Sequence, residues 1–341
     1  MTKKECFLGV DIGSISTKGI LIDKSKNIIG SIYVRSKNIE SSLKTILNHL
    51  LKDKIEIKGV GCTGSGREYA QSLIGADITK TEIIAHAIGN LYFYPKVRTI
   101  VDIGGEDSKL IILEDGVLKD FSMNTICSSG MGATMENIAV RLGIKIEEFG
   151  SIALKSNKTI NLPMKCGVLM SSAVVSKKNQ GEKIENILMG VAKAVARNFL
   201  ALNAKGKDLL EPIVFCGMTA YNKALVNALE EETEKKIIVP ENPEMMGAFG
   251  IALITMEEMN DKKTSFQNKL TDSKNYKIEC NRKDCISCGN CFSNAPDYFT
   301  KSEDGKTKCI KEIVEQKDLE KIKEICENCP MKLINLRSLL P

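Results

Sequence analysis

The stretch VDIGSISTK, residues 10–18, returns in almost the same form as VDIGGEDSK, residues 101–109. In both copies an aspartate (Asp11 or Asp102) ends an apolar run, a glycine follows two residues later, and a lysine stands seven residues past the aspartate. Apolar residues resume after each lysine, so each copy is typical of a strand, a glycine-bearing turn and a second strand. We therefore predict two β-hairpins of one design, 91 residues apart.

The bulk composition is that of a globular protein and excludes several classes of function. The 341 residues include 27% charged and 43% hydrophobic side chains, which is enough for more than one core. The net charge of +5 forms no basic stripe and tryptophan is absent, so no nucleic-acid partner is expected. The longest apolar runs are about ten residues, too short for a bilayer. With no secretory signal recognised, we predict a cytoplasmic protein without a membrane partner.

Alternating strand and helix patterns fill residues 1–256, which we predict to be one domain of two duplicated lobes. Residues 257–278 are polar without apolar periodicity and predict a linker. Residues 279–341 predict a small cysteine-rich domain. The longer helices are expected near residues 39–51, 134–142, 184–202, 223–232 and 245–256.

The two hairpins have the composition of a phosphate-binding site. A glycine, serine and threonine turn can direct several N–H and hydroxyl groups at one phosphate, and an aspartate at a strand end can hold Mg²⁺. Neither hairpin is a P-loop or a Rossmann fingerprint, and two ordinary hairpins remain the alternative. The residues predicted to contact the phosphates are Gly13, Ser14, Ser16, Thr17 and Lys18 in the first hairpin and Gly104 and Gly105 in the second.

A third element completes a nucleotide site. VFCGMTAYN, residues 214–222, reads as a strand, a glycine turn and a helix, and MGAFG follows at 246–250. Gly217, Gly247 and Ala248 would let the backbone approach an adenine ring. Two αβ halves with phosphate hairpins and a late glycine turn resemble the actin, sugar-kinase and heat-shock chaperone ATPase superfamily. The resemblance implies an α/β fold class, a duplicated actin-like (ribonuclease H-like) ATPase fold with ATP or ADP and Mg²⁺ between the lobes.

Two cysteines of the first domain stand beside turns of small residues. Cys127 precedes Ser-Ser-Gly and a predicted helix, and Cys166 precedes a glycine. A thiolate or an anionic cluster is stabilised at a helix N-terminus. Two cysteines are half of an iron–sulfur site that a two-fold dimer would complete. On spacing alone, two buried structural cysteines are the simpler explanation.

Residues 5–256 also resemble the activator components of 2-hydroxyacyl-CoA dehydratases and benzoyl-CoA-reductase-type enzymes. The resemblance rests on DIGSISTKG, TGSGR at 63–67, DIGGEDSK, the segments around Cys127 and Cys166, and VPENPEMMGAFGIAL. It implies a homodimeric ATPase with a 4Fe–4S cluster that bridges the subunits through Cys127 and Cys166. It further implies a ferredoxin or flavodoxin as electron donor and an iron–sulfur dehydratase or reductase as acceptor.

The chain departs from this family near both cysteines. Cys-Ser-Ser-Gly-Met-Gly-Ala at 127–133 replaces the family's Cys-Ala-Ala-Gly-Thr-Gly-Arg, and Leu-Met-Ser-Ser-Ala at 169–173 replaces Phe-Ala-Glu-Ser-Glu. Glu106 stands where the second hairpin usually has glutamine, and we expect it to position the attacking water. These changes predict a divergent member.

Seven of the twelve cysteines follow residue 279. Cys285, Cys288 and Cys291 have the spacing of a bacterial ferredoxin, and Cys329 before Pro330 supplies a distant fourth ligand, as in single-cluster ferredoxins. We predict a small α+β ferredoxin-like domain with a 4Fe–4S cluster on these four thiols.

A zinc site is the alternative for this domain. Cys285 with Cys288 and Cys326 with Cys329 would form its two CxxC pairs, which leaves Cys291 unexplained. The sequence leaves open the roles of Cys280, Cys309 and Cys326.

Together these patterns predict an ATP-driven electron-transfer protein. Asp11 and Asp102 would bind Mg²⁺ and Lys18 would contact a phosphate, while the tail cluster passes an electron to the bridging cluster and on to a partner enzyme. Two alternatives are a small-molecule kinase of the same superfamily and a redox carrier whose nucleotide cleft is regulatory. His86 is expected to be a packed or surface residue rather than a ligand.

Overall fold

We describe the protein from a computed structural model, which covers residues 3–36, 38–51, 55–124, 131–259, 262–266, 276–314 and 318–338. The chain divides into two compact units, residues 1–267 and 268–341. None of the helices in these ranges is long and apolar enough to cross a membrane.

The first lobe is a mixed five-stranded sheet in the order β3-β2-β1-β4-β5. Its central strand β1 is buried from Cys6 to Ile12, and the helix that contains Ala248 and Ala252 packs against it at Gly9. Asn38 starts α1 by accepting a hydrogen bond from the N–H of Ser41 at 2.7 Å. The elements are β1 Lys4–Ile12, β2 Ser16–Asp23, β3 Ile28–Arg35, α1 Ile39–Leu50, β4 Ile55–Thr63, α2 Arg67–Ile74, β5 Ile78–Thr79 and α3 Glu82–Phe93.

The second lobe repeats this topology. Its sheet has the order β10-β9-β6-β7-β8, which is the order of the first sheet read from the other edge. Between its third and fourth strands in sequence the first lobe has one helix, whereas the described residues of the second lobe form four helices at the equivalent place, and these carry most of its apolar core. The elements are β6 Thr99–Ile103, β7 Ser108–Glu114, β8 Val117–Asn124, α4 Gly132–Leu142, α5 Ile146–Ala153, α6 Gly167–Asn179, α7 Ile184–Asn203, β9 Ile213–Cys216, α8 Lys223–Thr233, β10 Ile237–Ile238 and α9 Met246–Glu258.

The last helix of each lobe crosses to the other lobe. Helix α3 packs on the second sheet, through Ile83 and Ala87, whereas α9 packs on the first sheet, where Phe249 joins Phe7. The two helices also meet so closely that a Cβ atom on Gly250 would lie 1.8 Å from the carbonyl oxygen of Ala85. Glycine is therefore required where the connections between the lobes cross.

The predicted elements of this unit are confirmed with shifts of one to two residues at most ends. Helices expected near 39–51, 184–202 and 223–232 span 39–50, 184–203 and 223–233. The strong apolar periodicity of these segments explains the agreement.

The C-terminal unit is small and mixed. β11 Tyr276–Cys280 lies between β14 Ile313–Val314 and β15 Ile334–Ser338 in an antiparallel sheet. A hairpin of β12 Phe299–Lys301 and β13 Thr307–Cys309, with helices α10 Asn290–Asn294 and α11 Leu319–Glu327, completes it. Its core includes Tyr298, Phe299 and Ile322.

Candidate functional site

The two hairpins predicted from the repeat have the same geometry. Asp11 pairs with Lys18 across β1 and β2, and Asp102 pairs with Lys109 across β6 and β7. Because paired residues of an antiparallel ladder point to the same face, each lysine reaches the aspartate of its own hairpin. The seven-residue spacing is thus the signature of a charge pair within each hairpin.

The turns of the two hairpins are also alike. The N–H of Gly13 donates to the carbonyl oxygen of Ser16 at 2.9 Å, and the N–H of Gly104 donates to that of Asp107 at 2.9 Å. These bonds close both turns at equivalent positions. The remaining N–H groups of the turns stay available for an anion.

The hairpin tips meet face to face. A Cβ atom on Gly105 would lie 2.2 Å from Cδ1 of Ile15, so the second hairpin needs glycine where the first one touches it. The electric field of Asp102 also reaches Lys18, whose pKa burial would lower but whose neighbours Asp11 and Asp102 raise. The two repeats therefore line one cleft.

The cleft between the lobes has a volume of about 490 Å³. Most residues predicted to contact nucleotide or magnesium line it, together with several that the repeat did not indicate. The predicted ones are Asp11, Gly13, Ser14, Ser16, Lys18, Asp102, Gly104, Gly105 and Gly217. Those not foreseen include Arg35, Glu82, His86, Asp107, Lys109, Glu136, Tyr221 and Glu244.

Lys18 has one carboxylate partner. Its Nζ lies 3.3 Å from Oδ2 of Asp11, and 14% of its side chain is exposed. A lysine with one partner at the edge of a cleft keeps donors free for a ligand.

Lys109 is more deeply buried than Lys18 and has more carboxylate partners. Only 3% of its side chain is exposed, and three carboxylates surround its ammonium group. The distances from Nζ are 3.1 Å to Asp102 Oδ2, 3.1 Å to Asp107 Oδ2 and 3.2 Å to Glu82 Oε2. Burial alone would lower the pKa of Lys109, but these carboxylates raise it, so the lysine stays charged.

Within the same network, the pKa of Asp102 is lowered and the pKa of Glu82 is raised. Burial would raise the pKa of Asp102, but Lys109 and His86 outweigh it and bring the pKa to about 2. For Glu82, burial dominates and raises the pKa, and Lys109 offsets it only in part. Asp102 is therefore a stable anion, and Glu82 is the more basic of these two carboxylates.

Glu106, expected to position the attacking water, is exposed on the turn and is not among the residues that line the cleft. Its neighbour Asp107 and Glu82 from α3 supply the carboxylates at this wall instead.

Three other predicted nucleotide residues lie behind the cleft wall. Thr17 is fully buried and its Oγ1 lies 2.7 Å from Oγ of Ser36. The position of a Cβ atom on Gly247 is 3.0 Å from Nε2 of His86, and Ala248 packs its carbonyl oxygen against Gly9. Thr17 thus faces β3 and the residue after it, whereas Gly247 and Ala248 lie where α9 packs against His86 and β1.

His86 lies in this floor. It is 5% exposed, its Nε2 lies 3.8 Å from Oδ2 of Asp102, and its Nδ1 is buried without a hydrogen-bond partner. The prediction that His86 is a packed residue agrees with its burial, but it did not indicate that His86 lines the cleft.

One wall of the cleft, next to Asp102, is built around Gly217. Its φ is +85°, and a Cβ atom there would lie 2.6 Å from Oδ1 of Asp102, so both the backbone conformation and the close approach require glycine. Met218 and Tyr221 follow in a 3₁₀ turn, and the Tyr221 hydroxyl donates to Glu244 Oε2 at 2.8 Å. This wall offers apolar and aromatic surface beside the charged hairpins.

The cysteines of the first unit divide into two groups. Cys6, Cys62 and Cys216 are buried in the apolar core. Cys166 is half-buried at the N-cap of α6, and Cys127 lies outside the described residues.

The C-terminal unit brings the four predicted cluster ligands together. Cys285, Cys288, Cys291 and Cys329 line one small pocket, and Cys280 lines it as well. Cys326, which the zinc alternative requires, is not in this lining. Within the described ranges, no group of three or more cysteine, histidine or acidic side chains is arranged to hold a single metal ion.

Several hydrogen-bond donors surround these thiols. The backbone N–H groups of Thr307 and Ser287 bond to Cys285 and lower the pKa of its thiol against a smaller effect of burial. The N–H of Leu333 donates to Cys329 Sγ at 3.5 Å, and Cys291 Sγ lies 2.7 Å from the Thr307 hydroxyl. Such donors stabilise thiolate sulfurs that bind iron, so this donor set fits a cluster.

Comparison with known proteins settles the family. Residues 8–255 match the profile of the BadF/BadG/BcrA/BcrD ATPase family. This chain belongs to that family. Residues 278–336 match the profile of a 4Fe–4S single cluster domain, so the family's ATPase domain is here followed by an iron–sulfur domain.

Several named proteins are similar to this chain. The chain is 31% identical over 266 residues to the 2-hydroxyisocaproyl-CoA dehydratase activator of Clostridioides difficile, covering 76% of this chain and 98% of the relative. The structure of that activator with bound ADPNP superposes with a TM-score of 0.69 at 31% identity, over 75% of this chain and 96% of that one. Component A of the Acidaminococcus fermentans (R)-2-hydroxyglutaryl-CoA dehydratase gives a TM-score of 0.69 at 28% identity, over 75% and 99%.

These matches confirm the predicted fold class. The first unit is a duplicated actin-like ATPase with two mixed five-stranded sheets, and a small α+β region follows it. They also confirm the resemblance to dehydratase activators.

Proposed function

We propose that this chain is an ATP-dependent electron-transfer activator, which hydrolyses ATP to deliver low-potential electrons to an iron–sulfur enzyme. The observation that carries this proposal is the joining, in one chain, of two phosphate-type hairpins facing one cleft and a domain of the 4Fe–4S single-cluster type.

Different residues of the cleft would contact different parts of the nucleotide. The turns at Gly13 and Gly104, with Lys18, would hold the phosphates, and Asp11 and Asp102 would bind Mg²⁺ directly or through water. Gly217 and Tyr221 would contact the adenosine. The turn N–H groups and the space kept open by glycine fit these groups.

Glu82 is the carboxylate we propose to position the attacking water. It lines the cleft on the first turn of α3, and its raised pKa makes it a better proton acceptor than an ordinary glutamate. It takes the role that the sequence suggested for Glu106.

Two clusters would carry the electrons. The C-terminal cluster would be held by Cys285, Cys288, Cys291 and Cys329, and it would accept one electron at a time from a ferredoxin or flavodoxin. A second 4Fe–4S cluster would be held by Cys127 and Cys166 from each subunit of a homodimer.

The proposed acceptor is an iron–sulfur dehydratase or reductase that acts on an acyl-CoA. The relatives named as dehydratase activators support this class of partner. The altered residues 169–173 beside Cys166 leave the substrate of that partner to experiment.

The test is to count iron in the full-length protein after anaerobic reconstitution. One bridging cluster per dimer and one tail cluster per chain give about six irons per chain. Cys127→Ser should lower this to about four, and Cys285→Ser to about two. An iron content unaffected by Cys127→Ser would refute the bridging cluster, and zinc in place of iron would refute the tail cluster.

The accompanying nucleotide assay separates the alternatives. ATP hydrolysis that releases phosphate supports the activator. Transfer of the phosphoryl group to a small molecule would instead identify a kinase, and absence of turnover would identify a nucleotide-regulated carrier.

A further inference from the structure

One ion pair joins the two lobes across the cleft. Arg35, the last residue of β3, lies with Nη1 2.6 Å and Nη2 3.1 Å from the two carboxylate oxygens of Glu136 on α4. Both side chains line the cleft. The pair is bidentate, the geometry in which arginine also binds phosphate.

Arg35 stands next to the first hairpin. In the antiparallel ladder it is opposite Ser16, one of the predicted phosphate residues. The following residue, Ser36, donates its N–H to the carbonyl oxygen of Ile15 at the hairpin tip, at 2.8 Å. The guanidinium group therefore extends from the strand beside the phosphate turn.

Glu136 is linked in the same way to the second hairpin. The first N–H groups of α4, from Gly132 and Ala133, donate to the carbonyl oxygens of Gly104 and Gly105 at 3.1 and 3.0 Å. Glu136 is on the next turn of that helix. In the sequence, α4 begins five residues after Cys127.

Among the lysine and arginine side chains described in the cleft lining, Arg35 is the most exposed. Lys109 is enclosed by three carboxylates, and Lys18 is largely buried against Asp11. Arg35 is 67% exposed and has the one carboxylate. An exposed pair of this kind adds little stability, so a phosphate carrying more charge can displace the glutamate.

We propose that Arg35 is a further ligand of the nucleotide phosphates. Without nucleotide, Arg35 is paired with Glu136. When Arg35 binds a phosphate in place of this carboxylate, α4 is released from it. This inference rests on the proposed binding of ATP. It gives the cleft a direct connection to the helix that follows Cys127, because the Arg35–Glu136 pair joins α4 to the first lobe.

The test measures the Kd of ATP, ADP and AMP for the full-length protein by calorimetry. Arg35→Met should weaken ATP binding about tenfold, because it removes a charged hydrogen-bond donor. Glu136→Gln should tighten it about two- to fivefold, because the competitor for Arg35 is gone. AMP, which lacks the terminal phosphates, should bind both variants as it binds the wild type.

Opposite shifts for the two partners distinguish this exchange from a simple tether. If the pair only held the lobes together, both substitutions would change the affinity in the same direction, and that result would overturn the proposal. Unchanged ATP binding by Arg35→Met, or an equal loss of AMP affinity, would overturn it too. If the wild type bound no ATP, the proposed function itself would fail.

A matched pair controls for loss of a surface ion pair. Arg197 and Glu232, with Nε and Oε1 2.8 Å apart, join α7 to α8 and are not in the cleft lining. Arg197→Met and Glu232→Gln should leave all three affinities unchanged.

Hydrogen exchange of residues 131–142 gives a second readout. A nonhydrolysable ATP analogue should speed exchange there in the wild type, and Glu136→Gln should do so without nucleotide. Equal protection of α4 in all of these states would overturn its release.

Discussion

The two hairpins share a sequence pattern, a strand register and a turn hydrogen bond, but their lysines differ in role. Lys18 meets one carboxylate and remains near solvent, whereas Lys109 meets three and is buried. The difference comes from Asp107, where the first hairpin has Ser16, and from Glu82, which α3 brings to the second hairpin. Two copies of one motif can therefore carry lysines of different use, one with donors left for a ligand and one that holds carboxylates in place.

Removing the buried charge should have the largest effect. Lys109→Met leaves three carboxylates without their cation and should lower the free energy of unfolding by about 3–5 kcal/mol. Lys18→Met, the matched change, should cost about 1.5 kcal/mol. Urea unfolding followed by circular dichroism measures both, and equal losses would remove the proposed asymmetry.

Hydrolysis should depend on Glu82. Glu82→Gln should slow ATP turnover at saturating ATP about 100-fold. Because burial raises its pKa, the rate should fall on acidification at a pH above that of an ordinary glutamate, and the variant should lose this limb.

Two further variants test this assignment. Glu40, also on the first turn of a helix of 12 residues, controls for the helix terminus, and Glu40→Gln should be active. If Glu106→Gln abolished turnover and Glu82→Gln did not, Glu106 of the second hairpin would be the residue that positions the attacking water.

Nucleotide affinity should depend on Lys18. Lys18→Met should raise the Kd of ATP about 10- to 100-fold, because a charged donor to phosphate is lost. Adenosine, which has no phosphate, should bind as before. Equilibrium dialysis measures both ligands, and an unchanged Kd for ATP would show that the first hairpin is not the phosphate-binding one.

The smallest effect should be the acid sensitivity conferred by Asp102. Its folded pKa of about 2 is below the ordinary 3.8, so the unfolded chain takes up this proton first. Its contribution, about 2 kcal/mol in full, is present above about pH 4 and is lost as the pH falls towards 2, so about 1 kcal/mol is lost between pH 5 and pH 3. Unfolding at pH 5 and pH 3 should show a flatter profile for Asp102→Asn, and parallel profiles would contradict the shift.

Local patterns predicted the hairpins, the long helices and the tail cysteines. Asp11 with Lys18 and Asp102 with Lys109 follow from strand periodicity alone, because both partners belong to one hairpin. Cys285, Cys288 and Cys291 share one short loop and the start of α10.

Contacts that depend on tertiary packing could not be predicted from the sequence. Glu82 reaches Lys109 from 27 positions upstream, and Arg35 meets Glu136 across 101 positions. No local spacing encodes such pairs. Gly247 and Ala248 were expected beside adenine for their small size, but the structure uses that size to seat α9 against His86 and Gly9.

The crossing of α3 and α9 has a consequence for the synthesis of the protein. Gly9 is covered by Ala248, which packs against it on one face of the sheet. This contact cannot form until 239 further residues have been synthesised. One side of the earliest sheet to be synthesised thus stays open to chaperones until the ATPase domain is nearly complete, and the first lobe to emerge is the last to close.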